Sequence, residues 1–254
     1  MTVLSSTYVA VFGLVLARVG GLLVAAPVFG ARQVPAQSKI GLAVMLSLIL
    51  TPLQIGRAAT PPADPLAFGA LAGCELLVGL AVGFAASLIF TGIQIGSRLL
   101  GVQIGFGFGE VLDPHSGAGS GVLDGFYTVL ATVIFLATNG HYAVLAALAH
   151  TFQVAPVGGQ PPTVNPTQAM ALVQAVFEVA LRIVLPTTGA LLLADAAMGL
   201  VSKVAPQMQV IVTGAPVKVA VGLVMLAASL PTTALLMQAV FRDLGRSIAA
   251  VLGG

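Results

Sequence analysis

Long runs of apolar residues, separated by short polar or glycine- and proline-rich connections, extend along the whole sequence. The first run, residues 8–29, holds about 22 residues, enough for an α-helix to cross the hydrocarbon core of a bilayer. Arg18 lies in the middle of this run, whereas a secretory signal carries its positive charge before the apolar core. We therefore expect a retained helix here and not a cleaved signal.

The later runs differ in length. Residues 40–53 form a run of about 14 residues, which is short for a span and typical of a re-entrant or protein-buried helix. Residues 66–95 are too long for one straight span and indicate either a tilted helix or two pieces. Further runs cover residues 122–137, 142–152, 169–194 and 210–236, with connections at 30–39, 56–64 and 156–166. The pattern predicts an all-α, multi-pass, membrane-associated helical protein.

Prolines interrupt the last two runs at four positions: Pro186, Pro206, Pro216 and Pro231. A proline inside a helix leaves the carbonyl four residues earlier without its N–H partner. Membrane proteins tolerate this where neighbouring helices satisfy the freed carbonyl. We expect these runs to be buried against protein.

Glycines recur four residues apart in five sets, and this spacing places them on one face of a helix, where another backbone can approach closely. The sets are Gly69 and Gly73; Gly79 and Gly83; Gly92 and Gly96; Gly101, Gly105 and Gly109; and Gly117, Gly121 and Gly125. One set alone is a weak signal, because glycine is common in membrane helices. Their repetition predicts a tightly packed helix interface.

The composition excludes several classes of protein. The chain is 58% hydrophobic and only 7% charged, whereas soluble domains carry about 25% charged residues, so a lone water-soluble domain and a disordered chain are both excluded. The net charge of +2 comes from scattered residues, and without a basic patch we expect no nucleic-acid partner. The single cysteine, Cys74, cannot form an internal disulfide.

Ionisable residues within the apolar runs are candidates for buried polar contacts: Arg18, Glu75, Glu178, Arg182, Asp195 and Lys218. Each would cost about 2.5–3.5 kcal/mol if it faced lipid, so we expect each to face a partner, a cavity or another charge. Glu178 and Arg182 are four residues apart with the acid first, which favours an ion pair on one helix face. Arg18, Glu75 and Lys218 have no local partner, so we expect pairing across helices or subunits.

Catalytic and cofactor motifs are missing from the sequence. The three histidines are far apart, without metal-ligand spacing: His115, His141 and His150. Ser116 and Ser120 lack the glycines of a nucleophile elbow. Residues 105–109 lack the third glycine of a dinucleotide fingerprint and the lysine of a phosphate-binding loop. We expect no metal, no cofactor and no enzymatic activity.

A specific resemblance begins at the glycine-rich segment 101–114, which reads Gly-Val-Gln-Ile-Gly-Phe-Gly-Phe-Gly-Glu-Val-Leu-Asp-Pro. This segment resembles the FliR family of flagellar export-gate proteins, whose injectisome relatives serve virulence type III secretion. The resemblance continues in residues 75–84, 25–29, 34–35, 39–42, 205–210 and 216–218, with Asp195 and Gly199 before the last two. It therefore spans nearly the whole chain.

The resemblance implies an all-helical subunit whose hairpins wind around a central pore together with FliP-like and FliQ-like subunits. FlhB-like and FlhA-like components lie beside such a gate in the bacterial inner membrane, at the flagellar basal body. Residues 1–155 would be the FliP-like portion, including a plug loop at 101–125, and residues 167–254 the FliQ-like portion. Such a subunit helps to form and close the channel for unfolded export substrates and is not catalytic.

In that family the glycine-rich middle loop plugs the closed pore, and the matching positions here are Gly105, Phe106, Gly107, Phe108, Gly109, Glu110, Asp113 and Pro114. Phenylalanines can fill a narrow, dry constriction, while glycines let the backbone cross it and move aside. The Asp-Pro step ends the element, because the residue before proline avoids helix. A static packed turn is the alternative.

Buried polar or assembly roles are expected, from the charges and the late motif together, for Arg18, Glu75, Glu178, Arg182, Asp195, Pro206, Gln207 and Lys218. Three alternative functions stay open. An injectisome homologue would share the whole motif set. A small-solute transporter would use similar broken helices, although its usual paired halves are not seen here. An intramembrane hydrolase would need Ser116 or Ser120 in a catalytic geometry.

Overall fold

Helices form from the apolar runs throughout the part of the chain that the computed structural model describes, namely residues 6–31, 33–59, 61–62, 64–106, 121–204 and 210–251. They are α1 (Ser6–Ala25), α2 (Ala36–Gln54), α3 (Pro65–Ile104), α4 (Val122–Ala137), α5 (Gly140–Val154), α6 (Pro166–Val204) and α7 (Val210–Val251). Within these residues there is no strand. The all-α prediction is confirmed.

Membrane-spanning length is reached by five of these helices, α1, α2, α3, α6 and α7, in the described chain. Helices α4 and α5, which a short break separates, form a sixth candidate if they are counted as one broken span. The break lies at Asn139, whose φ of 58° is left-handed. These lengths support the multi-pass prediction.

Two of the long helices begin with the same local arrangement, a capping side chain followed by proline. Asp64 precedes Pro65 at the start of α3, and its carboxylate accepts the N–H of Ala67 at 3.2 Å. Asn165 precedes Pro166 at the start of α6, and its side-chain oxygen accepts the N–H of Thr167 at 3.1 Å. A capping side chain followed by proline satisfies the free N–H groups of a first turn, so the sequence itself determines both starting points.

Helix α2 differs from the short helix expected at residues 40–53. It begins four residues earlier, at Ala36 directly after Pro35, and reaches 19 residues. The polar residues before the apolar run therefore belong to the helix, and Pro52 lies inside it. Only 17% of its apolar window is buried within the described chain. The expectation of a short helix was wrong. The described part of this chain leaves most of α2 unburied.

Residues 66–95 were expected to form either one tilted helix or two pieces, and they form part of the single helix α3. It is one helix of 40 residues, which corresponds to a length of about 60 Å. It continues through Gly92, Gly96 and Gly101, because helical glycines cost only about 1 kcal/mol each and tertiary contacts can compensate for this.

The described chain divides into two compact units, and each draws on distant parts of the sequence. The first unit comes from Met1–Leu88, Asn139–Val173 and Phe241–Gly254. The second unit comes from Ile89–Thr138 and Gln174–Val240. Each unit combines early and late residues, so this division does not test the FliP-like and FliQ-like portions, which stay a prediction.

In the first unit, glycines bring the backbones of α1 and α3 together. A Cβ atom at Gly79 would collide with the carbonyl oxygen of Arg18, and one at Gly83 would lie 2.7 Å from the carbonyl oxygen of Leu22. On the facing helix, a Cβ at Gly21 would collide with the carbonyl oxygen of Leu76. Only glycine permits this separation of the two helices.

In the second unit, Gly92 and Gly96 form a similar contact with α6. A Cβ at Gly92 would lie 2.7 Å from the carbonyl oxygen of Val176, and one at Gly96 would lie 3.1 Å from that of Ala180. The packing prediction is confirmed for this set and for Gly79 and Gly83. Gly69, Gly73, Gly101 and Gly125 meet no other group of the described chain, so for them the packing stays a prediction.

The prolines inside helices are exposed in this chain. Pro186 in α6, and Pro216 and Pro231 in α7, all have exposed side chains, while Pro206 lies outside the described residues. The expectation that protein buries these positions is therefore not met by the described part of the chain itself.

A glycine pair on α3 offers a test of the close approach. We expect Gly79→Ala to lower the stability of the full-length protein in detergent by about 2 kcal/mol or more, because the added methyl group overpacks against backbone that cannot rotate away. Gly73→Ala is the matched control on the same helix, where nothing lies within 4 Å. It should stabilise by about 0.5–1 kcal/mol through helix propensity.

The measurement is the thermal unfolding midpoint of each purified variant in the same detergent. Equal midpoints for Gly79→Ala and Gly73→Ala would contradict the packing of α1 on α3.

Candidate functional site

A buried ion pair joins α1 to α3 in the first unit. Arg18 Nε donates to Glu75 Oε2 at 2.5 Å, and both side chains are almost fully enclosed. Glu75, Gly79 and Gly83 are spaced four apart on one face of α3, so the glycines that admit α1 also bring Arg18 to the acid. These two charges, which lack local partners in the sequence, are each other's partner.

The guanidinium group of Arg18 also binds α5. Its Nη1 atom donates to the backbone carbonyl of Ala155 at 3.0 Å and to Thr151 Oγ1 at 3.3 Å. Its Cζ atom lies 4.4 Å from the ring centre of Phe152, in a cation–π contact. One side chain therefore connects α1 with α3 and α5.

The other carboxylate oxygen of Glu75 accepts the backbone N–H of Gly158 at 2.9 Å, in the connection that follows α5. Gly158 has a φ of 75°, a conformation that favours glycine. The same connection meets the α2–α3 loop, because Ala59 N–H donates to the carbonyl of Val157 at 3.0 Å. Both oxygens of Glu75 are used, so this cluster has the character of a structural joint and not of a proton-transfer site.

A second acid–base cluster lies in the second unit, between α3 and α4. Asp124, in the first turn of α4, accepts Ser97 Oγ at 3.1 Å and Arg98 Nε at 3.2 Å. The carboxylate and the serine are buried, while 61% of the Arg98 side chain is exposed. The cluster joins the last turns of α3 to the beginning of α4.

Helix α3 ends at the first position of the predicted plug. Gly105 has a φ of 104°, and two bonds close the last turn: Phe106 N–H to the carbonyl of Gly101 at 2.9 Å, and Gly105 N–H to that of Val102 at 3.2 Å. This is a Schellman motif, which requires glycine at the left-handed position. The Phe106 side chain is 37% exposed. The remaining plug positions lie outside the described residues: Gly107, Phe108, Gly109, Glu110, Asp113 and Pro114.

Two further ion pairs in the second unit are partly exposed. Arg182 Nη2 donates to Glu178 Oε1 at 2.5 Å along α6, and the two side chains are 61% and 59% exposed. Lys218 Nζ on α7 lies 2.9 Å from Asp195 Oδ2 on α6, with exposures of 37% and 48%. The first pair is local, as its spacing predicts, and the second joins two helices.

Helices α6 and α7 also border a groove in the second unit, with a cavity volume of about 790 Å³. Its walls are mostly apolar, with one guanidinium group and three hydroxyl groups. They are formed by Arg182, Pro186, Met225, Ala228, Ser229, Thr232, Thr233, Leu235, Leu236 and Ala239.

Several residues considered for chemistry receive no role from the described structure. Pro206, Gln207, His115, Ser116 and Ser120 lie outside the described residues. Among the residues that are described, no group of histidine, cysteine, aspartate or glutamate side chains could hold a metal ion. Cys74 is a free, exposed thiol on α3.

Asp124 was not predicted from the sequence as a site residue, although it is a lone acid inside the run 122–137. Its position in the first turn after a glycine would have suggested a helix-start residue, and only tertiary structure brings Ser97 and Arg98 to it. Thr151 and Phe152 were also missed, because neither is an unusual residue in an apolar helix.

The two kinds of ion pair predict different mutational costs. We expect Glu75→Ala to destabilise the full-length protein by about 3–5 kcal/mol, because Arg18 is left buried without its counter-ion. The matched control, Glu178→Ala, removes an acid from an exposed pair and should cost about 1 kcal/mol or less.

Thermal unfolding in detergent measures both effects. A third variant, Arg18→Met with Glu75→Leu, should recover much of the loss, since replacing both charges removes the unpaired one. A Glu75→Ala protein as stable as Glu178→Ala would show that the buried pair is not the joint described here.

Comparison with known proteins extends over nearly the whole chain. Residues 9–244 match the family model of bacterial export proteins, family 1. The chain is 31% identical over 244 residues to the flagellar biosynthetic protein FliR of Escherichia coli (strain K12), covering 93% of this chain and 90% of that protein. It is 30% identical over 251 residues to FliR of Bacillus subtilis (strain 168), covering 95% of each. FliR of Caulobacter vibrioides is 27% identical, over 92% of this chain and 94% of that protein.

Proposed function

Because the chain belongs to the FliR family of bacterial export proteins, we propose that it is a core subunit of the flagellar type III export gate. In this role it helps to form and close the channel through which unfolded flagellar proteins cross the inner membrane. The role is one of assembly and passage, and it assigns no bond-making chemistry to any residue of the chain.

The observation that carries the proposal is a set of charges on uncovered faces of apolar helices. Glu178 and Arg182 are about three-fifths exposed, and Asp195 and Lys218 between a third and a half. If these faces met lipid, each charge would cost about 2.5–3.5 kcal/mol. Such residues need other protein or a water-filled passage beside them. A subunit of an export gate contacts both.

The uncovered apolar surface supports the same conclusion. Within the described chain only 17% of the apolar window of α2 and of α7 is buried, and Pro186 and Pro231 are exposed on helices whose freed carbonyls need partners. The groove between α6 and α7 adds a concave surface beside Pro186. We infer that FliP-like and FliQ-like subunits cover these faces, with FlhB-like and FlhA-like components nearby.

The plug remains part of the proposal. Gly105 and Phe106 begin the segment that resembles the family's plug, and the left-handed Gly105 closes the last turn of α3. Phenylalanine rings at such a point can fill a narrow pore, and the glycines between them keep the backbone thin. The FliP-like and FliQ-like portions, residues 1–155 and 167–254, belong to the same proposal.

Flagellar use is favoured over injectisome use, because the relatives in Escherichia coli, Bacillus subtilis and Caulobacter vibrioides are named flagellar biosynthetic proteins. A deletion strain tests this directly. We expect cells without this chain to be non-motile, because their flagella cannot be assembled. Motility should return with a plasmid copy of the chain, and a deletion strain that swims normally would refute the flagellar assignment.

Purification tests the assembly. We expect the chain, extracted in a mild detergent, to elute as part of a complex with FliP-like and FliQ-like subunits, because its own helices leave their apolar faces uncovered. Mass spectrometry of the purified fraction identifies the subunits. A stable monomer that transports a small solute in liposomes would favour the transporter alternative.

Deletion of residues 105–109 tests the plug. We expect cells carrying the shortened chain to leak ions across the cytoplasmic membrane, because the constriction loses the residues that fill it. The control is a strain that lacks the whole chain, which forms no gate and therefore no leak. A shortened chain that still exports and stays ion-tight would exclude the plug role.

A further inference from the structure

The turn that follows α1 contains a backbone conformation that its central residue disfavours. Val28 has a φ of 68°, and across it the N–H of Phe29 donates to the carbonyl of Pro27 at 2.8 Å. A bond between residues two apart, around a central residue with positive φ, forms the rare and strained kind of γ-turn. For a β-branched side chain such a φ is an outlier. The backbone at Val28 is therefore strained.

Contacts on both sides hold this turn in place. Ala26 is buried, and the N–H of Gly30 donates to its carbonyl at 2.8 Å. A Cβ atom at Gly30 would lie 2.5 Å from the carbonyl oxygen of Val24, so the turn folds tightly onto the end of α1. From the other side, Lys39 Nζ in the first turn of α2 donates to the carbonyl of Gly30 at 3.0 Å. A strained backbone persists only where its surroundings hold it, and here α1 and Lys39 do so.

Helix α2 itself is incompletely satisfied in this position. Its buried face carries Ser47 and Thr51, whose hydroxyls donate to carbonyls of their own helix at 2.7 and 2.6 Å. Gln54, the last residue of α2, is 5% exposed, and its Oε1 atom has no hydrogen-bond partner among the described residues. A buried polar atom without a partner is costly. Strain before α2 and an unpaired oxygen at its end both raise the free energy of this arrangement.

We propose that the turn at Val28 is a strained hinge, which holds α2 in one position in the free chain and relaxes when the export gate assembles. In the relaxed state Val28 takes a negative φ, Lys39 leaves the carbonyl of Gly30, and α2 occupies a second position. Strain in the first state brings its free energy closer to that of the second, so that assembly can shift the balance. The assembly step rests on the proposed function, whereas the hinge belongs to the chain itself.

A static turn is the other interpretation, in which Val28 is strained but never relaxes. The two interpretations differ for Val28→Gly. Glycine adopts a positive φ without strain, so this variant should shift the ratio of strained to relaxed chains about tenfold toward the strained arrangement. A static turn would then serve as well as before, whereas a hinge would lose the strain that favours its release.

The first measurement is the distance between α2 and α3 in the full-length chain, purified alone in detergent. Pulsed electron paramagnetic resonance reports it from nitroxide labels on Cys74, which is native and exposed, and on Met45→Cys, at a position that is 64% exposed. We expect one distance for the labelled chain and for Val28→Gly. Lys39→Met removes the donor to Gly30 and should add a second distance.

The double variant Val28→Gly with Lys39→Met sharpens this measurement. We expect it to return to one distance, because an unstrained turn does not need the Lys39 bond to stay closed. General loosening of the chain by the loss of Lys39 would instead leave two distances in the double variant, and that result would contradict the hinge.

The second measurement is the amount of chain recovered in a complex with FliP-like and FliQ-like subunits, at equal levels in the membrane. We expect Val28→Gly to lower this amount by up to about tenfold, because fewer chains reach the relaxed state. Val34→Gly is the matched control, since it adds a glycine to the same connection at a residue without a positive φ. It should assemble like the wild type.

These measurements separate the hinge from the proposed function. A single distance in Lys39→Met, equal to that of the unchanged chain, would refute the hinge. Recovery of Val28→Gly equal to that of Val34→Gly would refute the release of strain during assembly. If the wild-type chain forms no complex, the proposed function fails, while the distances in Lys39→Met and in the double variant still decide whether the hinge exists.

Discussion

The ion pair between Arg18 and Glu75 is the contact on which the first unit depends. A guanidinium group enclosed in an apolar core is tolerable only if it is paired and hydrogen-bonded. Arg18 meets this requirement with Glu75, Thr151 and Ala155, which lie on or just after two other helices. The glycine contacts between α1 and α3 have the same purpose, because they bring the two charges within bonding distance.

In the second unit the charged residues are also paired, but not all of the pairs are buried. Asp124 is buried and bonded within the chain, but the Glu178–Arg182 and Asp195–Lys218 pairs are formed and still exposed. The charges of these two pairs neutralise each other, but the rest of the described chain leaves them uncovered on apolar helices. The charged joint of the first unit, by contrast, is enclosed by its own chain.

The sequence predicted the helices well because apolar periodicity and helix-start residues are local signals, as at Asp64 and Asn165. Prediction from the sequence failed for features that depend on tertiary contacts. The start of α2 at Ala36 depends on four residues, three of them polar, that lie before the apolar run and that hydropathy does not count as helical. Which glycines pack depends on what lies opposite, so Gly79 and Gly73 look alike in sequence but differ in the structure. Asp124 could be placed at a helix start, but its partners Ser97 and Arg98 could not be inferred.

Helix α3 is about 60 Å long, roughly twice the thickness of the hydrocarbon core of a bilayer. No tilt in the usual range of about 20° brings an apolar helix of that length wholly into lipid. Part of the helix must therefore lie outside the hydrocarbon core, and its apolar surface there needs cover from protein if it is not to meet water. The chain itself supplies some of that cover, because 56% of the apolar window of α3 is buried within the described residues.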